Sequence, residues 1–208
     1  MTSELKKFII EKINPIVKKE FSIGNDFELP RIQKITVNSG YGKFRHEKEV
    51  VRKLGQEIAS LTGQKPVQVK AKKSIAGFKL RQGEKVAYMV TLRGKKMYDF
   101  LSRLINVALP SIRDFRGLNS KFDRQGNFSL GIKDHAVFPE ITFEDLSQSF
   151  NLGINISIKA KNTQEARFFL QKIGMPLQKD MVAKKQEIPK GPLRGKKQTN
   201  SQSQKRNK

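Results

Sequence analysis

The residues best equipped for chemistry are Asp114, Asp123, Asp134, His135 and Glu140, four carboxylates and one imidazole in a single stretch. Such an oxygen-rich group can hold Mg²⁺ and activate a water for attack on a phosphodiester. A metal-dependent RNA-processing enzyme is therefore one reading of the chain. The spacing, however, follows no metal-binding or catalytic motif, and His46 is the only other imidazole. The absence of cysteine excludes disulfides and thiolate metal sites and fits a reducing compartment. Gly40-Tyr41-Gly42 lacks the third glycine of a dinucleotide fingerprint. Acids scattered along a surface loop are the simpler reading, and it predicts no catalysis, no metal and no cofactor.

Positive charge is the stronger signal. Lys70, Lys72, Lys73, Lys79 and Arg81 crowd into residues 70–83 with no carboxylate among them. Between them lie small residues, Phe78 and two glycines, Gly77 and Gly83, that relax the backbone. Two readings are open. The segment is either a solvated basic loop or a projection laid against phosphates, with Phe78 as an anchor. The formal charge of the 208-residue chain is +23, which predicts association with polyanions whatever the fold. Residues 181–208 hold nine Lys or Arg against Glu187 alone, so the body of the chain is itself basic. No apolar run approaches the ~20 residues that span a bilayer, and no membrane partner is expected. Acidic residues at Glu4, Glu11 and Glu20 argue against a basic transit segment.

The elements that must position these groups follow from periodicity. Leu5, Phe8, Ile9, Ile13, Ile16 and Val17 fall at helical spacing, with Pro15 expected to kink the helix or start a new turn. Leu54, Ile58 and Leu61 mark a second helix closed by Gly63, and Met97, Phe100, Leu101, Leu104, Ile105 and Ala108 a third, ended by Pro110. Asn162 and Glu165 are placed to form a reciprocal capping box for a last helix over Ala166–Ile173. Strands are predicted at 31–38, 67–71, 85–92, 128–132 and 154–160. This order predicts an α+β fold: an antiparallel sheet with helices packed on one face and two protruding loops. The expected organisation is one domain over 1–180 and a disordered basic low-complexity tail over 181–208.

Several ordered blocks carry a family likeness. Gln64-Lys65-Pro66-Val67, Ala71-Lys72-Lys73-Ser74-Ile75-Ala76 and Phe78-Lys79-Leu80-Arg81-Gln82-Gly83 resemble the bacterial-type large-subunit ribosomal protein family conventionally called L-five. The likeness continues through Val90-Thr91-Leu92-Arg93-Gly94, Ala108-Leu109-Pro110, Ile112-Arg113-Asp114-Phe115-Arg116-Gly117-Leu118 and Phe138-Pro139-Glu140-Ile141. It spans residues 4–176. Ser39-Gly40-Tyr41-Gly42, Arg124-Gln125 and Asp134-His135-Ala136 depart from the usual family pattern, as does the extra tail.

The resemblance implies a structural constituent of the cytoplasmic ribosome that binds 5S rRNA and helps form the central protuberance. Its implied 5S contacts are Asn38, Gln64 and Thr91, whose amides and hydroxyl suit ribose and base edges. Lys34, Lys65 and Arg93 lie near them in sequence and can supply phosphate contacts. The family's loop at Lys72, Lys73, Ser74, Gly77, Lys79 and Arg81 reaches the elbow of the P-site tRNA. Its second projection, here including Arg113, Asp114, Arg116, Phe122 and Asp123, forms an intersubunit bridge to a small-subunit head protein. Mixed charge in that projection suits protein better than phosphate. Large-subunit rRNA and neighbouring large-subunit proteins complete the implied partners. The tail either threads along rRNA or is a dispensable solubilising extension.

Overall fold

Strict apolar–polar alternation, the pattern that buries one face of a sheet, builds most of the framework. The computed structural model describes residues 4–42, 44–120, 122–141 and 150–178. The expected tail over 181–208, and with it the boundary at 180, lies outside the described residues. Five strands, β1 (Arg31–Gly40), β2 (Val67–Lys70), β3 (Lys85–Leu92), β4 (Phe128–Ile132) and β5 (Leu152–Lys159), pair antiparallel throughout. Their order is β2-β3-β1-β5-β4, with β1 at the centre. The α+β antiparallel sheet inferred from the sequence is the fold observed. β1 runs two residues past its expected end, because Ser39 and Gly40 still pair with Tyr88 and Ala87.

One face of the sheet is apolar and covered. Ile35, Val37, Val90, Leu92, Ile154, Ile156 and Phe128 are buried beneath the helices. The N-terminal helix runs through α1 (Glu4–Phe8), a π-helical turn at Ile9–Ile13 and α2 (Asn14–Glu20). Pro15 lies inside this continuous helical run, where it can donate no helical bond, and the π-helical turn directly before it accommodates that loss. The expected break there is thus a widened turn just before the proline. α3 (Lys48–Thr62) ends on Gly63 in the left-handed conformation, φ +64. α4 (Gly94–Arg103) continues into a π-helical turn at Leu104–Ala108, and its Met97, Phe100, Leu101 and Leu104 enter the core.

The expected capping box of α5 (Thr163–Ile173) forms only in part. Asn162 occupies the N-cap but makes no side-chain cap bond, and Glu165 Oε2 accepts from the backbone N–H of Lys161. The glutamate therefore reaches one residue beyond the cap. Glu165 is itself buried, so its carboxylate satisfies a donor in the interior rather than at the surface.

Candidate nucleic-acid interface

Among the described residues the opposite face of the sheet has no helical cover, and its composition is distinctive. None of the five described strands contains an Asp or a Glu. Cross-strand register aligns Ser129, Asn155, Thr36 and Thr91 in one row across β4, β5, β1 and β3. The next row brings together Gly131, Gly153, Asn38, Met89 and Val67. Asn38 is exposed and lies diagonal to Thr91, within the reach typical of same-face neighbours. Lys34 stands opposite Ser157 on the same face, and Arg93 follows β3 directly in an extended conformation as the N-cap of α4. The surface is thus a sheet of hydroxyls and amides with cations at one end. Such groups both donate and accept, and nothing on the strands repels phosphate.

The structure places Lys34, Asn38, Thr91 and Arg93 on this face and Gln64 and Lys65 in the connection that leads into β2, whose Val67 pairs with Met89. Gln64 is exposed in the connection to β2, where the Thr62 hydroxyl holds its backbone carbonyl at 3.0 Å. Lys65 instead lines a groove against α3 with Tyr88 and Gln68, on the helix-covered side of the sheet. Thr36, Ser129, Asn155 and Ser157 were not among the expected residues. Period-two alternation along β1, β4 and β5 was the signal that could have found them. Gly131 and Gly153 leave the β4–β5 side of this row without side chains, and Val67, 65% exposed, adds an apolar patch at the opposite edge.

The basic loop is a folded object rather than a floppy one. Ile75 and Leu80 exchange backbone hydrogen bonds, Gln82 N–H donates to Ser74 Oγ, and Gly83 N–H donates to Ala71 O. The left-handed positions are Lys79, φ +50, and Gly83, φ +84. Gly77 sits in a 3₁₀ turn with ordinary φ, so of the two expected hinges only Gly83 requires glycine. Arg45 closes the structure. Its guanidinium donates to Phe78 O at 3.0 Å and Lys79 O at 2.8 Å, and pairs with Glu84 at 3.1 Å. The Glu84 carboxylate is thereby paired, while Lys72, Lys73, Lys79 and Arg81 are exposed. Phe78 is 73% exposed at the tip.

Three of the four acids singled out first, Asp123, Asp134 and Glu140, have internal duties. Asp123 accepts from Gln125 N–H, Asn127 N–H and the Asn127 side-chain amide, closing the turn before β4. The Asn127 side chain, then the backbone donors, hold this carboxyl below its ordinary range. Asp134 caps the 3₁₀ turn His135–Val137. His135 is 1% exposed; its Nδ1 accepts from Phe150 N–H, and Nε2 lies 3.0 Å from Glu57. Glu140 pairs with Arg103, which also donates to Leu61 O. Among the described residues no group of three or more acids or histidines could hold a metal.

In the second projection Arg113, Asp114 and Arg116 are exposed, with Asp114 at φ +52. Phe122 is half-buried, its ring 5.1 Å from that of Phe128. Leu118 exchanges backbone bonds with Pro176 and Gln178, which fastens the base of this loop to the end of the fold. Phe122 and Asp123 therefore shape the loop that presents the other three.

Comparison with known proteins matches these features to a family. Residues 25–81 match the family model described as Ribosomal protein L5, and residues 85–177 match that of the ribosomal L5P family C-terminus. The chain is similar to the large ribosomal subunit protein uL5 of Trichodesmium erythraeum, 46% identical over 177 residues, covering 85% of this chain and 98% of the relative. It is 44% identical to that of Ralstonia pickettii over 177 residues, with 85% and 98% covered. With the protein from Geobacter sulfurreducens the identity is 46% over 175 residues, with 84% and 98% covered.

Proposed function

This chain belongs to the ribosomal protein L5 family, and on that premise we propose that its open sheet face binds 5S rRNA. Membership makes it a structural, non-enzymatic constituent of the large ribosomal subunit, associated with rRNA and working where bacterial ribosomes work, in the cytoplasm. Among the described residues no helix is long and apolar enough to cross a membrane. The observation that carries the 5S reading is the carboxylate-free face on which Thr36, Thr91, Asn155 and Ser129 align beside Asn38. Hydroxyls and amides in register suit 2′-hydroxyls and splayed bases, while Lys34 and Arg93 suit the flanking phosphates.

The finer partners follow the same logic. The folded loop carrying Lys72, Lys73, Lys79 and Arg81 is a cationic probe for P-site tRNA, with Ser74 and Gly77 shaping it. Arg113, Asp114 and Arg116 form the contact with a small-subunit head protein, supported by Phe122 and Asp123. The tail over 181–208 adds salt-dependent, sequence-tolerant affinity for rRNA. Its boundary with the domain at 180 belongs to the same reading.

Filter binding tests the central claim. Wild-type protein should prefer 5S RNA over an unrelated RNA of equal length at every salt concentration. Asn38→Ala and Thr91→Ala should each weaken the specific complex by ~1–3 kcal/mol while leaving the unrelated RNA untouched. Equal affinity of both variants and wild type for 5S RNA would remove the sheet face from the site.

A further inference from the structure

A second cationic surface lies on the other side of the sheet and has no part in the contacts above beyond Lys65. Between α3 and the β2–β3 edge runs a groove of about 830 Å³ whose wall includes Tyr41, Tyr88, Gln68 and Pro66. Its lining also contains Arg45, Lys48, Arg52, Lys65 and Lys85, and among the described residues no Asp or Glu. Arg45 is committed to the loop, but Lys48, Arg52, Lys65 and Lys85 are all exposed. Lys85 also faces Lys70 across the strands, a like-charge pairing that an anion alongside would relieve.

The wall is built as carefully as the rim. Gly55 brings α3 so close that a Cβ there would sit 3.0 Å from the Tyr88 ring carbon and hydroxyl. Gln68 Nε2 donates to Tyr88 Oη at 2.9 Å, which leaves the amide an acceptor and a second N–H. Tyr41, 2% exposed, keeps a buried hydroxyl with no hydrogen-bond partner among the described residues. An aromatic and apolar wall with amide and hydroxyl groups, ringed by cations, matches a nucleobase joined to phosphate.

We propose that this groove takes an unpaired nucleotide of an rRNA strand, its base against Pro66 and the Gln68 amide, which Tyr88 backs from the core, and its phosphates on Lys48, Arg52, Lys65 and Lys85. A volume of this size falls within the range of small-ligand pockets and accommodates an extruded base. A duplex keeps its base faces stacked inward and offers such a concave wall only phosphates. The proposal rests on the family reading for the source of the strand alone. It is independent of the sheet face.

The full chain can be tested with a labelled uridine hexamer containing 4-thiouridine. Photocrosslinks should fall on the peptides that hold Tyr41, Gln68 or Tyr88. The double variant Arg52→Glu with Lys85→Glu should weaken hexamer binding about tenfold or more and lower the salt slope by about 0.7 per lost contact. A charge-matched control, Lys6→Glu with Lys19→Glu on the N-terminal helix, should weaken it far less. The groove variant should keep its 5S RNA affinity, whereas Asn38→Ala with Thr91→Ala should lose 5S RNA and keep the hexamer. Crosslinks confined to the sheet face or the basic loop would overturn the proposal. So would equal losses in the groove and control variants, or equal competition by a duplex of the same length. Displacement of the hexamer by inorganic phosphate at matched phosphate concentration would reduce the groove to a simple anion site and overturn it as well.

Discussion

Arg45 illustrates how one side chain governs a functional segment from far along the chain. It stands 33 residues before Phe78, yet three of its bonds hold the basic loop in shape. Hydrogen bonds from a charged donor each contribute ~1.5–3 kcal/mol when not fully solvated. Arg45→Ala should therefore leave the core intact and loosen the loop. Native-state hydrogen exchange should quicken by about tenfold or more at Lys79 and Leu80, with strand amides unchanged. Asp123 carries a different kind of prediction, one that depends on pH. Bonds to Asn127 favour its ionised form, so its folded pKa lies below the unfolded value. The stabilisation is then complete above the unfolded value and fades as pH falls through the folded one. On acidification the Gln125 and Asn127 amide resonances should shift together at a pH below the ordinary carboxylate value of 3.8, and Asp123→Asn should abolish that transition.

At the scale of elements, the helices owe their ends to a few positions with defined geometry. Gly63 terminates α3 at φ +64 and delivers Gln64 and Lys65 to β2. Its N–H bonds to Ala59 O, and Lys96 Nζ donates to its carbonyl. Gly63→Ala places a Cβ in a left-handed residue and should cost ~1 kcal/mol. Thermal melting should show a midpoint lowered by roughly 2–4 °C for a domain of this size. The open space around that Cβ position means that packing adds nothing to the cost. β1 carries the heaviest structural duty, because it pairs on both sides and its alternate residues feed both the core and the open face. A slip of one residue in either register would turn Asn38 and Thr36 inward and expose Ile35 and Val37.

At the scale of the whole molecule, charge is distributed by structural role. The strands carry only cations and neutral groups, while Asp123, Asp134, Glu84 and Glu140 are each bound to partners within the chain. These four carboxylates are therefore used for shape, and the chain carries a formal excess of +23 that favours phosphates. The tail should add to that attraction without changing its specificity. Deleting residues 181–208 should lower the magnitude of the log–log salt slope for rRNA by about 0.7–0.9 for each cation engaged, with the preference for 5S RNA unaltered. An unchanged slope in the same filter-binding series would assign the tail a purely solubilising role.

The sequence alone determined the element types, the antiparallel α+β class, the polyanion preference and the family. Each of these is written locally, in periods of two or 3.6, in glycine and proline punctuation, in summed charge and in contiguous blocks such as Phe78–Gly83. It also drew attention to Asp114, Asp123, Asp134, His135 and Glu140, because residue type advertises chemistry before partners are known. Only the tertiary structure decided that most of these are already occupied, that Arg45 clamps the basic loop, and that Lys65 faces a groove apart from Asn38. It alone set Thr36, Thr91, Asn155 and Ser129 in one row, from strands separated by long stretches of chain. The reason is physical: register and hydrogen-bond satisfaction arise between distant segments, and local periodicity contains no information about which distant neighbour completes them.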